Sequence, residues 1–261
     1  MELLTYSTEQ FQIFLMVLIR TGVVLYLFPV FSSTMIPATV KAGLALAMAL
    51  VLMPAVPVDL ARFPDSVPTV GMMMVAELFI GLVLGLSVRI FLVAVELAGQ
   101  TIGFQMGFSI INVLDPQTGG QVSIIGQIGN LVVLVIFLML NGHHALIRGL
   151  VESFSVVDIG MISISRGFLD QMTALMSNMF VIALKMGAPA IIALLFTSAA
   201  FGIIAKFVPQ MNILIAAFPV KIAVGLAFFS LCLFSIELLT RAYLEQLPGL
   251  LSSLLGHLGG G

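Results

Sequence analysis

Three stretches of this chain, residues 21–40, 116–147 and 186–205, contain no Asp, Glu, Lys or Arg. Each reaches or exceeds the ~20 residues that cross about 30 Å of hydrocarbon as a helix. Only 8% of all residues are charged and 61% are hydrophobic, with a mean hydropathy of +1.22, whereas a soluble domain has roughly 25% charged residues. The chain therefore reads as an integral membrane protein. It reads as all-α because a backbone in hydrocarbon must satisfy its own hydrogen bonds. A soluble multi-domain organisation is excluded.

Composition excludes further classes. The formal net charge is −2 and Lys and Arg form no cluster, so nothing draws in nucleic acid by neutralising phosphate. Cys232 is the only cysteine, which rules out an intramolecular disulfide or a cysteine metal cluster. His143 and His144 are adjacent and point in different directions on a helix, a poor geometry for shared metal ligation, so no metal is expected. No nucleophile elbow, zinc-protease motif or phosphate-binding loop occurs; neither an enzyme nor a cofactor is expected. Glu2 and Glu9 stand near the N-terminus without Lys or Arg, and no small-residue cleavage site follows, so the first apolar helix is expected to be retained.

Hydrophobic periodicity predicts about six long helices, near 11–31, 40–57, 69–97, 124–147, 171–205 and 211–241. Pro54, Pro57, Pro64 and Pro68 mark one connection. At 1.5 Å per residue the 171–205 helix would run roughly 50 Å, and Pro189 sits inside it, so kinked helices forming helical hairpins are expected. Leu247, Leu250, Leu251, Leu254, Leu255 and Leu258 give the stripe of an amphipathic tail, at about 243–261, suited to a membrane surface or a partner. Residues 1–261 are read as one domain.

Within this apolar chain the segment from Leu97 to Asn130 is anomalous. It carries Gln100, Gln105, Gln117, Gln121, Gln127 and Asn112, with Asp115 its only charge. Amide-rich chain at membrane depth has to be sheltered by protein or face a water-filled passage. Gly99, Gly103 and Gly107 are spaced as GxxxGxxxG, and Gly81 and Gly85 as GxxxG, which lets helices approach closely. Ordinary helix packing explains that spacing, but the longer motif runs on through Phe108, Ile110 and Ile111 into Asp115-Pro116-Gln117-Thr118-Gly119-Gly120, a turn signal. Two readings stand: a surface turn between spans, or a re-entrant loop at about 100–125 that plugs or constricts a passage. The apolar approach on both sides favours the second.

Arg20, Glu77, Arg89, Glu96, Lys185 and Lys221 fall within or beside apolar runs, where ionisable groups flag function. Structural ion pairs within an assembly are one reading. A proton relay is the other, and it needs a chain of titratable groups where these are scattered. Glu237 and Arg241 form a favourable helical pair.

Taken in order, several features resemble the FliR family, the R subunit of the flagellar type III export gate, whose injectisome counterparts are the SctT proteins. They are Arg20 with Pro29, Pro37 and Pro54; Glu77, Gly81 and Gly85; and Glu96, Gly99, Gly103, Gln105, Gly107 and Phe108 followed by Asp115-Pro116. Ala188-Pro189, Pro209-Gln210-Met211-Asn212 and Pro219 with Lys221 complete the set. The resemblance covers essentially the full length. It implies a non-enzymatic subunit of the bacterial inner membrane and flagellar basal body that joins the P and Q subunits, with separate B and A subunits nearby, in contact with membrane lipid. Unfolded flagellar proteins would pass through that assembly. The plug role then falls on Phe104 through Gly120. Phe104, Met106, Phe108, Ile110 and Ile111 would fill the closed passage, the matched Gln105 and the turn at Asp115-Pro116 and Gly119-Gly120 would shape the loop, and Gly103 and Gly107 would permit close helix approach. The alternative is a secondary transporter with an intramembrane charge-coupled site.

Overall fold

The structure, a computed structural model, describes residues 8–31, 36–56, 66–108, 123–210 and 212–259. Among these residues every regular element is helical. In chain order they are α1 (Thr8–Leu27), α2 (Ala38–Leu52) with a short 3-10 turn at Met53–Ala55, α3 (Val67–Met106), α4 (Ile124–Met139), α5 (Gly142–Val156), α6 (Arg166–Phe207) and α7 (Ile213–Leu258). Four are long and apolar enough to cross a membrane, or up to five spans if the bent pair α4 and α5 counts as one. The protein is thus an all-α membrane protein.

The helices run further than periodicity implies. α3 continues beyond residue 97 through Gly99 and Gly103 to Met106, stopping just before the last glycine of the GxxxGxxxG motif, because glycines that let a second helix approach gain more in packing than they lose in propensity. α6 passes through Pro189 as one 42-residue helix. Lacking an N–H, Pro189 leaves the carbonyl of Lys185 without its intrahelical bond, yet no break follows. α7 likewise absorbs Pro219 and Pro248 and takes in the leucine tail. The expected 124–147 helix is instead two, α4 and α5, bent by 69°. The break is at Asn141, whose φ of 57° is the left-handed conformation that an Asn tolerates.

The chain divides into two compact units. One comprises residues 1–90, 141–175 and 244–261. In it α1 lies on α3, with Gly81 and Gly85 beneath: a Cβ on Gly81 would stand 2.8 Å from the Arg20 carbonyl and one on Gly85 2.6 Å from Leu27 Cβ. The leucine stripe of α7 is buried here, with Leu247, Leu251, Leu254, Leu255 and Leu258 at most 1% exposed. Leu251 rests where a Cβ on Gly149 of α5 would be. The tail is accordingly part of this unit's own core. Its end is held by Ser163, whose N–H donates to the Leu258 carbonyl at 2.9 Å, and by Ser165 Oγ, which donates to the His257 carbonyl at 3.1 Å.

The other unit, residues 91–140 and 176–243, packs parts of α3, α4, α6 and α7. Ala94, Val95 and Ala98 of α3 meet Val133, Ala183, Met186 and Ile236. A second cluster joins Ile102 and Met106 to Ile125, Ala190, Leu194, Phe229 and Cys232. Of the most apolar 18-residue window of each helix, 61% is buried in α3, against 28% in α6 and 22% in α7.

Candidate functional site

The roots of the expected re-entrant segment are built from glycine and serine. α3 ends at Met106 and is followed by Gly107, at φ +94°. The N–H of Phe108 donates to the Gly103 carbonyl at 3.1 Å and that of Gly107 to the Phe104 carbonyl at 3.0 Å, the Schellman pairing that a glycine in left-handed conformation permits. The Phe218 ring of α7 fills the place a Cβ on Gly107 would take. Here the glycine is required both for its φ and for its lack of a side chain.

α4 restarts at Ser123, directly against α3. Ser123 Oγ accepts from the Gly126 N–H at 3.2 Å, an N-cap, and donates to the Gly99 carbonyl at 2.9 Å. A Cβ on Gly99 would run into the Gly126 backbone, and one on Gly103 would sit 3.1 Å from Ser123 Oγ. The two helices therefore cross backbone on backbone at Gly99 and Gly126, at the start of α4 and about two turns before the end of α3.

The structure separates the aromatic and aliphatic residues expected at the plug. Phe104 is 70% exposed, whereas Met106 is 0% exposed and lies where a Cβ on Gly225 of α7 would be. Met106 thus fills space between helices of its own unit and presents nothing outward. Phe108 packs against the second cluster. Gln105 is half-buried and its Oε1 has no hydrogen-bond donor among the described residues. Ile110, Ile111, Asp115, Pro116, Gly119 and Gly120 lie outside the described residues.

Two of the flagged charges meet. Arg20 of α1 and Glu77 of α3, both fully buried, form a bidentate ion pair with Nε–Oε2 at 2.5 Å and Nη2–Oε1 at 2.9 Å. Arg20 Nη1 donates to the carbonyl and Oγ of Ser153 at 2.8 and 3.1 Å, and Nη2 to the Val157 carbonyl at 3.5 Å. The Phe154 ring centroid lies 4.2 Å from the guanidinium carbon. Glu77 Oε1 also accepts from the Gly160 N–H at 2.8 Å, with Gly160 at φ +73°. The pair ties α1, α3, α5 and the turn after α5 into one polar knot, the condition for keeping charge in an apolar interior.

The other charges are dispersed. Glu96 accepts from Gln100 Nε2 at 3.5 Å, and the exposed Glu237 and Arg241 pair at 3.3 Å. Arg89 and Lys221 are half-buried and Lys185 is exposed, and none of the three has an ion-pair partner among the described residues. Lys185 stands on α6 between exposed Val181 and Ile192. Spacing along the chain did not single out Ser123, Gly126, Ser153 or Gly160. The one local signal was a serine just before the apolar run of α4, a helix-start cue.

Comparison with known proteins covers nearly the whole chain. Residues 11–247 match the family model described as bacterial export proteins, family 1. The flagellar biosynthetic protein FliR of Bacillus subtilis (strain 168) is 34% identical over 242 residues, 89% of this chain and 90% of that protein. That of Escherichia coli (strain K12) is 29% identical over 206 residues, 77% of each. That of Caulobacter vibrioides is 25% identical over 240 residues, 91% of this chain and 96% of that protein.

Proposed function

The chain belongs to the bacterial export proteins, family 1, and we propose that it is a non-enzymatic subunit of the flagellar type III protein export gate, in which the segment following α3 stoppers the passage for unfolded flagellar proteins. The observation that carries this reading is the construction of the segment's two roots. Gly107 turns the chain off α3, and Ser123 returns it to α4 at a crossing where Gly99 and Gly126 allow backbone contact. A segment whose exit and re-entry both lie against the last turns of α3, between apolar helices, is suited to obstruct a channel without chemistry of its own. Phe104 stands exposed near the end of α3, and Ile110, Ile111, Asp115, Pro116, Gly119 and Gly120 follow it in the sequence.

The reading also calls for partners: the P and Q subunits, with B and A adjacent, at the flagellar basal body in the inner membrane. The outward faces of α6 and α7, with Phe180, Leu184, Leu195, Phe196, Leu231 and Phe234 exposed, support extensive helix packing with other chains. Lys185 favours protein over lipid as the cover on α6, since an unpaired ammonium in hydrocarbon is costly. Arg20 argues against a coupling site for a transported ion, because each of its N–H groups already has an acceptor.

The test is ion leak. The assembled complex is placed in a membrane with residues 103–120 replaced by small polar residues or with the loop deleted. The altered complex is expected to pass ions that the unaltered one holds back. A membrane that stays tight, with the complex intact, would count against the stopper.

A further inference from the structure

We infer that Ser123 is a positioning residue for export, a clasp whose hydroxyl locks the re-entry point of the segment onto α3; this rests on the gate reading above. Two bonds meet on one oxygen. As N-cap, Ser123 Oγ accepts from the Gly126 N–H at 3.2 Å, and with its own proton it donates to the Gly99 carbonyl at 2.9 Å. The first bond serves α4 alone, and any good capping residue can make it. The second joins two helices, and only a side chain that both accepts and donates at this position makes the two together.

The surroundings are shaped for that bond. Gly99, Gly126 and Gly103 all lack the Cβ that would hold the helices apart or crowd the hydroxyl: at Gly99 it would strike the Gly126 backbone, at Gly126 it would come 3.2 Å from the Glu96 carbonyl, and at Gly103 3.1 Å from Ser123 Oγ. Three glycines clear the approach, and one serine fastens it. The next turn of the crossing is apolar, with Ile125 packed against Ile102 and Met106, and supplies no second hydrogen bond between the side chain of one helix and the backbone of the other among the described residues. Because Ser123 is the first residue of the re-entering arm, whatever fixes it fixes where the preceding segment is anchored.

The clasp separates from the cap by chemistry. Ser123→Asp keeps an acceptor for the Gly126 N–H but, ionised, has no proton for the Gly99 carbonyl. Ser123→Thr keeps both, and Ser123→Ala keeps neither. In the complete export-gate complex, reconstituted into liposomes and normalised to assembled particle, Ala and Asp are expected to raise ion leak roughly fivefold, the population shift that the loss of one ordinary hydrogen bond produces, while Thr stays near the unaltered level. A purely structural cap predicts a different order, with Asp and Thr equally tight, and that order overturns the clasp. Ala, Asp and Thr all leaking alike also overturns it. The complex with residues 103–120 replaced runs alongside: if it leaks while Ala and Asp do not, the clasp fails and the gate stands. If it too is tight, the gate reading itself has failed.

Discussion

Arg20 and Glu77, 57 positions apart in the chain, meet as a fully buried bidentate pair in which Glu77 Oε1 is shared between Arg20 Nη2 and the Gly160 N–H. Removing one member strands the other in an apolar interior, which costs about 3–5 kcal/mol. Glu77→Ala is expected to lower the unfolding midpoint of the purified protein accordingly. Glu77→Gln keeps the shape without the charge and should lose less. Replacing both residues by apolar ones of similar volume should recover part of the loss but not all, since the Gly160 N–H is left without its acceptor. An unchanged midpoint for Glu77→Ala would contradict the knot.

The helical glycines divide by what faces them. A Cβ on Gly81 would crowd the backbone carbonyl of Arg20, which cannot move as a flexible side chain end can. Gly81→Ala is expected to cost about 1–3 kcal/mol by overpacking. Gly43 in α2 and Gly249 in α7 have nothing within 4 Å of such a Cβ, so Ala there should be neutral or stabilising by up to ~1 kcal/mol, the difference in helix propensity. Chemical denaturation of the single variants reads the contrast, and equal effects at Gly81 and Gly249 would refute it.

The end of α7 makes a third case. Leu251 and Leu254 are at most 1% exposed, while Leu250, on the edge of the same stripe, is half-buried. Leu254→Ala is expected to cost about 2–5 kcal/mol through lost burial and the cavity left behind, and Leu250→Ala distinctly less. Limited proteolysis should detect the Leu254 variant as faster cleavage near the C-terminus. Identical resistance in the two variants would mean the stripe is not core.

How much of this was legible in the chain depends on the range of the forces. The long apolar runs announced their helices because a membrane-length helix is specified locally. The GxxxG spacings likewise announced faces of close approach, and Gly81 and Gly85 do receive α1. Arg20 and Glu77 were each conspicuous, but their pairing is created by helices that meet only after packing, so no spacing encodes it. Helix ends were hidden for a related reason. Pro189, Pro219 and Pro248 look like breaks but are tolerated inside α6 and α7, whereas the real break at Asn141 needs only one residue in left-handed conformation. Ser123 was legible only as a helix-start cue, since its bond to Gly99 exists only once α3 has been brought within reach. The leucine tail was legible as amphipathic, but not the surface it covers, which turned out to be the chain's own.

Phe104 and Met106, two residues apart at the end of α3, test the site most directly because they face opposite ways. Met106 is wholly enclosed by Ile102, Ile125, Ala190, Leu194 and Phe229. Met106→Ala therefore opens a cavity and is expected to destabilise by about 2–5 kcal/mol. Phe104, 70% exposed, holds no such space, so Phe104→Ala should leave the unfolding free energy within ~0.5 kcal/mol of the original. The functional order is reversed. If Phe104 borders the passage, its loss raises ion leak through the assembled gate while stability is untouched, and any leak from Met106→Ala scales with the fraction of protein unfolded. Measuring leak and midpoint on the same preparations separates the two causes. A Phe104→Ala complex as tight as the original would remove Phe104 from the obstruction and leave it to the residues beyond Phe108.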